Sequence, residues 1–436
     1  MKILHISTQD KGGGGGSFDA AYRLHRNMLS AGVDSKMLVL NKVSNDDTVF
    51  SVSTRSILIN KLNHYWYKIK WKLNVKIFGY SRYFYVDVDN NFSVNSLLKR
   101  LHFLPDVIIA HWISGFMTTA NLHDLNRITG APILWYFMDM APMTGGCHYM
   151  LGCSGFRREC GNCPQLGRYK GKEDISHRQW KRKFLSVQKT DITPVIASSW
   201  QEKQLELSSI FRGKRSAVIP LGIDPDIFCP KSNIDAKKIL GFPASRRVIF
   251  FGALSIHEER KGIKYLISAL DILYEMLENC SLQKEILVVT AGKKENTDAL
   301  NIQFEHRSIG FLSGDIALAT AYQASDVFVC SSIEDAGPMM INESIMCGTP
   351  VVSFDVGVAM DLVQTEKTGY RAKLKDESDM ASGLLKILSL DSEAYQVMQN
   401  NCRNMGLTFC HPKVQVKAFD RLCANLLKNK QKSYRE

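Results

Sequence analysis

Short apolar strands alternate with helices along most of this chain, and that alternation limits the fold more than any other feature. Strands are predicted in the first part of the chain at residues 1–7, 37–40, 106–111, 132–138 and 192–197. The same order begins again near residue 247, with strands at 247–252, 285–291, 326–330 and 350–354. Strands that alternate with helices form parallel sheets covered on both faces. The sequence therefore predicts an α/β protein with two similar parts.

One strand–turn–helix–strand segment, residues 330–355, carries most of the functional information. Its sequence is CSSIEDAGPMMINESIMCGTPVVSFD, with Asp335 in the turn and Glu343 eight positions later in the helix. A glycine turn that opens a helix offers free backbone N–H groups and the positive end of the helix dipole to an anion. Carboxylates on both sides of such an anion suit the hydroxyls of a sugar and a ribose. The segment indicates a nucleotide-sugar site, and an ordinary turn with surface acids is the alternative.

This segment resembles the donor-binding signature of retaining glycosyltransferases of the family 4-like group, bacterial polysaccharide type. That signature has two glutamates separated by seven residues, followed by Gly-Thr-Pro-Val-Val. Asp335 to Glu343 keep the spacing, with aspartate in the first place, and residues 348–352 repeat the tail. The resemblance implies the GT-B architecture, in which two Rossmann-like domains with parallel sheets face each other across a cleft. It implies that Asp335 reaches the donor sugar and that Glu343 holds the ribose.

The remaining donor contacts follow from the same resemblance. The turn and the first helical residues would meet the diphosphate or sugar through Ala336, Gly337, Met339 and Met340. In the family a Lys-Gly pair follows a strand such as 247–252, and Lys261 matches the lysine that neutralises the departing diphosphate. Where the family often has an arginine after the strand's Gly252, this chain has Ala253, and Arg260 is a candidate replacement. Fixed cations stabilise the charge that a leaving group gains, although most lysines before a helix are merely solvated.

Five consecutive glycines, residues 12–16, lie where the first strand turns into the first helix. Glycine lets the backbone approach a phosphate closely, so Gly13, Gly14 and Gly15 are candidates for donor contact. The resemblance implies that this loop faces the donor across the cleft, and a flexible surface loop is the alternative. The spacing is not GxGxxG, so a dinucleotide site is not favoured.

His111 ends a buried strand, at the edge where α/β sheets place their ligands. The resemblance implies that it contacts the donor sugar near the reacting carbon, and a satisfied core histidine is the alternative. Asp139 has a similar placement after the strand at 132–138. Neither a nucleophile–base pair nor a metal-bound DxD site is evident. Catalysis without a metal or other cofactor is therefore expected, by positioning and charge stabilisation.

Four cysteines cluster within residues 147–163: Cys147, Cys153, Cys160 and Cys163. A CxxC pair with two further cysteines nearby has the ligand count of a structural zinc site. Reduced thiols and a redox pair are the alternatives. The stretch begins Thr-Gly-Gly-Cys-His-Tyr and resembles a subgroup of polysaccharide glycosyltransferases, which adds to the family resemblance without deciding the metal.

Charge and hydropathy bear on the partners of the chain. Lys and Arg exceed Asp and Glu by 55 to 43, for a net charge of +12, and residues 55–82 contain lysines and aromatics but no acid. A helix there would either contact an anionic membrane or pack on the domain with a basic face exposed. No apolar stretch is long enough to cross a bilayer, and no signal peptide is evident. We expect a cytoplasmic protein that is peripheral on the inner face of the cytoplasmic membrane and binds no nucleic acid.

These observations predict three segments and one activity. Residues 1–198 would form an acceptor-side domain that carries the insertion 55–82, residues 199–412 the donor domain, and residues 413–436 a helix returning to the first domain. The chain would move a sugar from a nucleoside diphosphate sugar to a growing, lipid-linked or other saccharide, with retention. The product would be a surface polysaccharide (O-antigen, capsule or exopolysaccharide). A nucleotide-sugar epimerase or hydrolase, and a non-catalytic polyanion- or membrane-binding protein, are the alternatives.

Overall fold

The computed structural model describes residues 1–12, 16–52, 69, 73, 76–77, 79–87, 94–253, 255, 258–292 and 300–433. By their contacts the residues form two compact units. Unit 1 consists of Met1–Ala197, Gln201–Ile219 and the segment from Val416 onward; unit 2 consists of Ser198–Trp200 and Pro220–Gln415. The predicted α/β class with two parallel sheets is confirmed.

Unit 1 contains a seven-stranded parallel sheet in the order β3-β2-β1-β4-β5-β6-β7. Its strands are β1 (Lys2–Gln9), β2 (Asp34–Asn41), β3 (Val49–Ser51), β4 (Val107–Ala110), β5 (Ile133–Tyr136), β6 (Ile192–Ile196) and β7 (Ala217–Val218). Its helices are α1 (Gly16–Ser30), α2 (Val94–Leu101), α3 (Thr119–Thr129), α4 (Ile175–Gln188) and most of α5 (Ser199–Leu207). Strands β4 and β5 are buried at every position, as expected of central strands in a parallel sheet covered on both faces.

Unit 2 contains a six-stranded parallel sheet in the order β10-β9-β8-β11-β12-β13. Its strands are β8 (Arg247–Gly252), β9 (Ile286–Ala291), β10 (Glu305–Ser308), β11 (Val327–Cys330), β12 (Val351–Phe354) and β13 (Gly369–Ala372). Its helices are α6 (Asn233–Ile239), α7 (Ile263–Met276), α8 (Ser281–Glu285), α9 (Asp315–Gln323), α10 (Met339–Met346), α11 (Ala359–Leu362), α12 (Glu377–Leu388) and α13 (Ser392–Phe409). The last helix, α14 (Pro412–Ser433), begins in unit 2 and continues in unit 1.

The sheet of unit 2 separates two hydrophobic cores. Val248 and Phe250 of β8 pack into one core, and Ile249 and Phe251 pack into the other. Successive side chains of a strand point to opposite faces of the sheet, so each strand contributes to both cores. The strands are held rigidly, and the loops at their carboxyl ends are available for binding.

The domain limits predicted from the sequence differ in part from the two units that the contacts define. Residues Gln201–Ile219, predicted to lie in the donor domain, group with unit 1, and residues 413–415 group with unit 2. The predicted limits at 198 and 412 stay predictions about functional domains. Most of the basic segment 55–82 lies outside the described residues. In the part of the chain that the structure describes, no helix is long and apolar enough to span a membrane.

Candidate functional site

Three charged side chains meet at the carboxyl end of the sheet in unit 2. Oδ2 of Asp335 lies 2.8 Å from Nζ of Lys261 and 2.9 Å from Nη1 of Arg260. Arg260 also contacts Glu258, at 2.7 Å between Nη2 and Oε2. The sequence had given Asp335 and the two cations separate tasks, and the structure joins them in one charged cluster.

Strand pairing explains why these residues meet. Strands β8 and β11 are neighbours, with Val327 opposite Ile249 and Val329 opposite Phe251. The loop after β8 carries Arg260 and Lys261, and the loop after β11 carries Asp335. Carboxyl ends of adjacent parallel strands lie at the same edge of a sheet, so their loops come together.

Two main-chain contacts fix the turn that bears the cations. The Ile333 N–H donates to the Arg260 carbonyl at 2.8 Å, and the Ser331 hydroxyl donates to the Lys261 carbonyl at 2.8 Å. Gly262 ends the turn with φ +64°, and a Cβ at this position would clash with the Ser331 carbonyl oxygen. Only glycine fits both the left-handed backbone and the close approach.

The charge state of Asp335 follows from its neighbours. Burial alone raises the pKa of this carboxyl, but the Coulombic attraction of Lys261 and then Arg260 outweighs burial and lowers the pKa below its usual value. Asp335 is therefore ionised at neutral pH. Together with Glu258, which pairs with Arg260, Asp335 balances the charges of the two cations in this cluster.

Helix α10 begins directly after this cluster. Gly337 N–H approaches Oδ1 of Asp335 at 3.4 Å, and the helix starts at Met339 with Pro338 at the N-cap. The first helical N–H groups have no intrahelical acceptor. The predicted turn-and-helix arrangement is present, with the Asp335 carboxylate beside the helix N-terminus.

The other candidate contacts of the donor turn lie close to it. Ala336 is buried, and its carbonyl accepts a hydrogen bond from the Ser198 hydroxyl at 2.9 Å. A Cβ on Gly252 would lie 2.5 Å from Cε of Met340, so Met340 covers the end of β8. Met339 is half-buried and packs against the core of unit 2.

Glu343 lies on the second turn of α10 and is fully buried. Its Oε2 lies 3.2 Å from the hydroxyl of Tyr322, which belongs to α9. Burial, followed by the charge of Glu343, raises the pKa of Tyr322 well above its usual range. Tyr322 therefore stays a neutral donor to the carboxylate. Sequence reasoning missed Tyr322, which has no motif around it.

Unit 1 has its own pocket, open to solvent, at the carboxyl ends of β4 and β5. Its lining combines two indoles with acidic, basic and hydroxyl side chains, among them His111, Trp112, Trp135, Asp139 and Lys183. His111 is buried, and its backbone N–H donates to the Ile6 carbonyl at 2.8 Å. Burial, followed by the charge of a neighbouring histidine, lowers the pKa of His111 to about 3, so the ring is neutral.

A buried carboxylate–imidazole pair supports one wall of this pocket. Oδ2 of Asp139 forms a hydrogen bond with Nδ1 of His148, and Oδ1 accepts from the Ala141 N–H at 2.8 Å. The ring of His148 stacks on Trp112, with 4.3 Å between centroids. The sequence noted Asp139 only by its place after a strand and did not connect it with His148.

Lys183 is the buried cation of the pocket. Its Nζ donates to the carbonyl oxygens of Ala141 and Thr144 at 2.9 and 3.1 Å. These bonds tie α4 to the loop after β5. The sequence gave no signal for this residue, because it is one of many lysines and its burial depends on tertiary packing.

The four cysteines of the predicted zinc site line a second pocket in unit 1. They are free thiols, and Cys147 interacts electrostatically with the other three. Burial raises the pKa of Cys160 to about 12 and of Cys163 to about 11. Within the described ranges, no three His, Cys, Asp or Glu side chains are placed as a metal site requires. The thiols are gathered, but not in coordination geometry.

One candidate group lies outside the described residues: Gly13, Gly14 and Gly15. Just before these glycines, the Gly12 N–H donates to Asp19 at 3.1 Å, and the Gln9 amide donates to the Gly12 carbonyl at 3.0 Å. The predicted donor contact of the three glycines stays a prediction.

Comparison with known proteins finds a family match within unit 2. Residues 233–405 match the family model described as "Glycosyl transferases group 1". Over its whole length the chain is similar in structure to sucrose-phosphate synthase from Thermosynechococcus elongatus, with a TM-score of 0.66 at 15% identity. That match covers 98% of this chain and 99% of the other. The fold is GT-B.

A second GT-B structure and two sequence relatives complete the comparison. Anabaena HepE in complex with UDP and glucose has a TM-score of 0.59 at 14% identity, covering 97% of this chain and 100% of HepE. An uncharacterized glycosyltransferase of Methanocaldococcus jannaschii is 29% identical over 47% of this chain and 53% of its own length. The Escherichia coli UDP-Gal:alpha-D-GlcNAc-diphosphoundecaprenol alpha-1,3-galactosyltransferase is 27% identical over 49% and 55%. The chain thus spans about half the length of these curated relatives.

Proposed function

We propose that this chain is a glycosyltransferase that moves a sugar from a nucleoside diphosphate sugar to a saccharide acceptor. The observation that carries the proposal is the cluster of Arg260, Lys261 and Asp335 at the N-terminus of α10. It lies within the residues that match the family model. Two fixed cations and free helical N–H groups suit a diphosphate that gains charge as the glycosidic bond breaks.

Each donor-site residue has a distinct task in this proposal. Lys261 and Arg260 balance the leaving diphosphate, and Asp335 holds both cations while it accepts from the hydroxyls of the donor sugar. Glu343 accepts from the ribose hydroxyls, with Tyr322 keeping its carboxylate in place. His111 contributes a neutral imidazole to the sugar. In this proposal Lys261 and Arg260, rather than a catalytic metal, balance the charge of the diphosphate.

We further propose a lipid-linked saccharide acceptor and retention of anomeric configuration. The Escherichia coli relative carries a diphosphoundecaprenol acceptor in its name, and a relative named as a putative colanic acid biosynthesis glycosyl transferase is 24% identical over 58% of both chains. These names support a role in surface polysaccharide synthesis. The net charge of +12 favours contact with the anionic inner face of the cytoplasmic membrane.

A panel of nucleoside diphosphate sugars tests the proposal. The full chain is screened for thermal stabilisation by each donor and then for transfer to lipid-linked and free saccharides. We expect one donor to stabilise the wild type and to lose its effect in Lys261→Ala and Glu343→Gln. Release of free sugar or an altered donor without any acceptor would indicate a hydrolase or epimerase. Polyanion binding that survives both substitutions, with no donor bound, would overturn the proposal.

The tetracysteine pocket carries a separate proposal of a structural zinc site. Its support is that Cys147, Cys153, Cys160 and Cys163 line one pocket and that backbone N–H groups already point at two of the sulfurs. Gly145 N–H lies 3.2 Å from Sγ of Cys160, and Gly155 N–H lies 3.4 Å from Sγ of Cys153. The bond from Gly145 lowers the pKa of Cys160, but burial outweighs it and the thiol stays protonated in the absence of a metal. The side chains would have to rearrange to bind the metal, since no coordination geometry is present among the described residues.

A further inference from the structure

Two buried histidines form a direct ring-to-ring contact beside the pocket of unit 1. Nδ1 of His5 lies 2.9 Å from Nε2 of His111, and the ring planes differ by 8°. His5 lies on β1 opposite Ile109 of β4. Because His111 is two residues beyond Ile109, its side chain falls on the same face of the sheet as that of His5. The register of β1 and β4 therefore places the two rings next to each other.

Both rings are neutral at physiological pH. Burial, followed by the charge of His111, lowers the pKa of His5 well below its usual value, and burial lowers that of His111 to about 3. A neutral imidazole has one N–H and one bare nitrogen. A hydrogen bond between the two rings therefore requires one to donate and the other to accept, and this choice determines the tautomer of each.

The second nitrogen of each ring decides between the two arrangements. Nε2 of His5 and Nδ1 of His111 are buried and have no partner among the described residues. If His111 donated to His5, then Nε2 of His5 would carry a proton in the core with nothing to accept it. If His5 donates, the unpaired proton is on Nδ1 of His111, and His111 lines the pocket. Buried N–H groups without an acceptor are rare, so the second arrangement is favoured.

We propose that His5 is a positioning residue that holds His111 as the Nδ1–H tautomer, so that His111 donates a hydrogen bond to an oxygen of the sugar ligand. The inference rests on the proposed function for the identity of the ligand, but the tautomer itself does not depend on it. A neutral donor at this place binds a hydroxyl or ring oxygen without repelling the positive charge that develops on the anomeric carbon.

A third histidine provides a matched control. His25 of α1 is also buried and has a pKa lowered to about 4, chiefly by burial. Its ring nitrogens bond to the Ser35 and Thr48 hydroxyls, both at 2.8 Å. It is absent from the lining of the pocket. Its ring also packs edge-on against His5, with 5.4 Å between centroids, so its substitution removes a buried histidine from the same cluster while it leaves the His5–His111 hydrogen bond in place.

The first experiment reads the tautomer without any substrate. In protein labelled with ¹⁵N-histidine, the ring nitrogen shifts distinguish a protonated from a bare nitrogen, and His111→Gln identifies its signals. We expect a protonated Nδ1 and a bare Nε2 in wild-type His111, and a changed pattern in His5→Leu but not in His25→Leu. A bare Nδ1 on wild-type His111 would overturn the proposal.

The second experiment measures transfer with the donor found in the panel. We expect kcat to fall about tenfold or more in His5→Leu, since one oriented hydrogen bond is lost. His5→Asn should recover much of this loss, because its amide N–H reaches the place of Nδ1, and the folded fraction of His25→Leu should keep wild-type kcat. Equal kcat in His5→Leu and wild type would overturn the positioning role. If Nδ1 is protonated but the protein transfers no sugar, the tautomer assignment is confirmed and the proposed function is wrong.

Discussion

Asp335 and Lys261 form a charge pair in which 2.8 Å separates Oδ2 from Nζ, and the same oxygen also accepts from Arg260. Asp335→Asn removes the carboxylate that the two cations share, so Lys261 loses its partner at Asp335 while Arg260 keeps its pair with Glu258. The three side chains are between 9% and 22% exposed. We expect the free energy of unfolding to fall by about 2 kcal/mol, less than for a fully buried pair because water reaches Lys261.

Urea denaturation measures this change, and Glu366→Gln is its control. Glu366 pairs with Lys386 at 3.7 Å, but both side chains are largely exposed. Solvent screens such a pair, so its loss should change stability by about 0.5 kcal/mol or less. The interpretation of the cluster would be wrong if both variants lost the same amount.

The same pair predicts a pH dependence. Because the pKa of Asp335 in the folded chain lies below the ordinary value of 3.8, the folded state binds this proton less readily than the unfolded state. The stabilisation is therefore complete above the ordinary pKa and is lost as the pH falls through the lowered one. We expect the stability difference between wild type and Asp335→Asn to shrink in this acidic range. A stability difference that grew as the pH fell would contradict this prediction.

The buried hydrogen bond between Tyr322 and Glu343 predicts a binding effect. If Glu343 holds the ribose as proposed, Glu343→Gln should raise the KM for the donor about tenfold with a smaller change in kcat, since such a contact is made equally in the ground and transition states. Tyr322→Phe removes only the hydroxyl, so it should weaken the free energy of donor binding by about 1 kcal/mol or less. The measurement is steady-state kinetics with the donor identified by the panel.

Tyr370→Phe is the matched control for Tyr322→Phe. The Tyr370 hydroxyl also donates to a carboxylate, Oδ1 of Asp379 at 2.7 Å, elsewhere in unit 2. This variant should leave the KM for the donor unchanged. A rise in KM for both phenylalanine variants would show a general effect of stability rather than a role of Glu343 in binding.

Zinc analysis addresses the tetracysteine pocket. Protein purified without added zinc should contain about one zinc per chain, and Cys163→Ser should lose both the metal and thermal stability. The exposed Cys280 is the control, and Cys280→Ser should keep the metal. A metal-free wild type with unchanged stability would assign the four cysteines to reduced thiols.

The fold class was predictable because the central strands are continuous apolar runs, whereas the short or polar strands β3, β7, β10 and β13 were not predicted. β4, with the sequence VIIA, and β12, with VVSF, are buried at every position. Buried strands between helices leave few arrangements other than a parallel sheet. The turn before α10 was also predictable from Gly337 and Pro338, whose conformational preferences are local.

The contacts within the sites were not predictable from spacing. Arg260 and Asp335 are 75 positions apart and meet only because β8 and β11 are neighbours. His5 and His111 meet for the same reason through β1 and β4. A signal did exist for His5, because it is a polar residue inside an apolar strand. Such a residue requires a partner, but the sequence does not tell which one.

Substitution of Gly262 tests how far the turn that carries Arg260 and Lys261 controls the geometry of the site. Its φ of +64° is strained for any other residue, and a Cβ would meet the Ser331 carbonyl oxygen. Gly262→Ala should therefore cost about 1–2 kcal/mol of stability and displace the Lys261 backbone, whose carbonyl accepts from Ser331. In the proposed donor site the displaced cation would no longer face the diphosphate, so donor affinity should fall together with stability.

Gly241→Ala separates the two effects. Gly241 also has a positive φ, +72°, but a Cβ there would meet nothing within 4 Å. Gly241→Ala should lose a similar amount of stability through its backbone conformation. It should keep its affinity for the donor, as measured by calorimetric titration of the folded protein. If Gly262→Ala bound the donor as tightly as Gly241→Ala, the turn would be a structural element only, and Lys261 would not depend on it for its place.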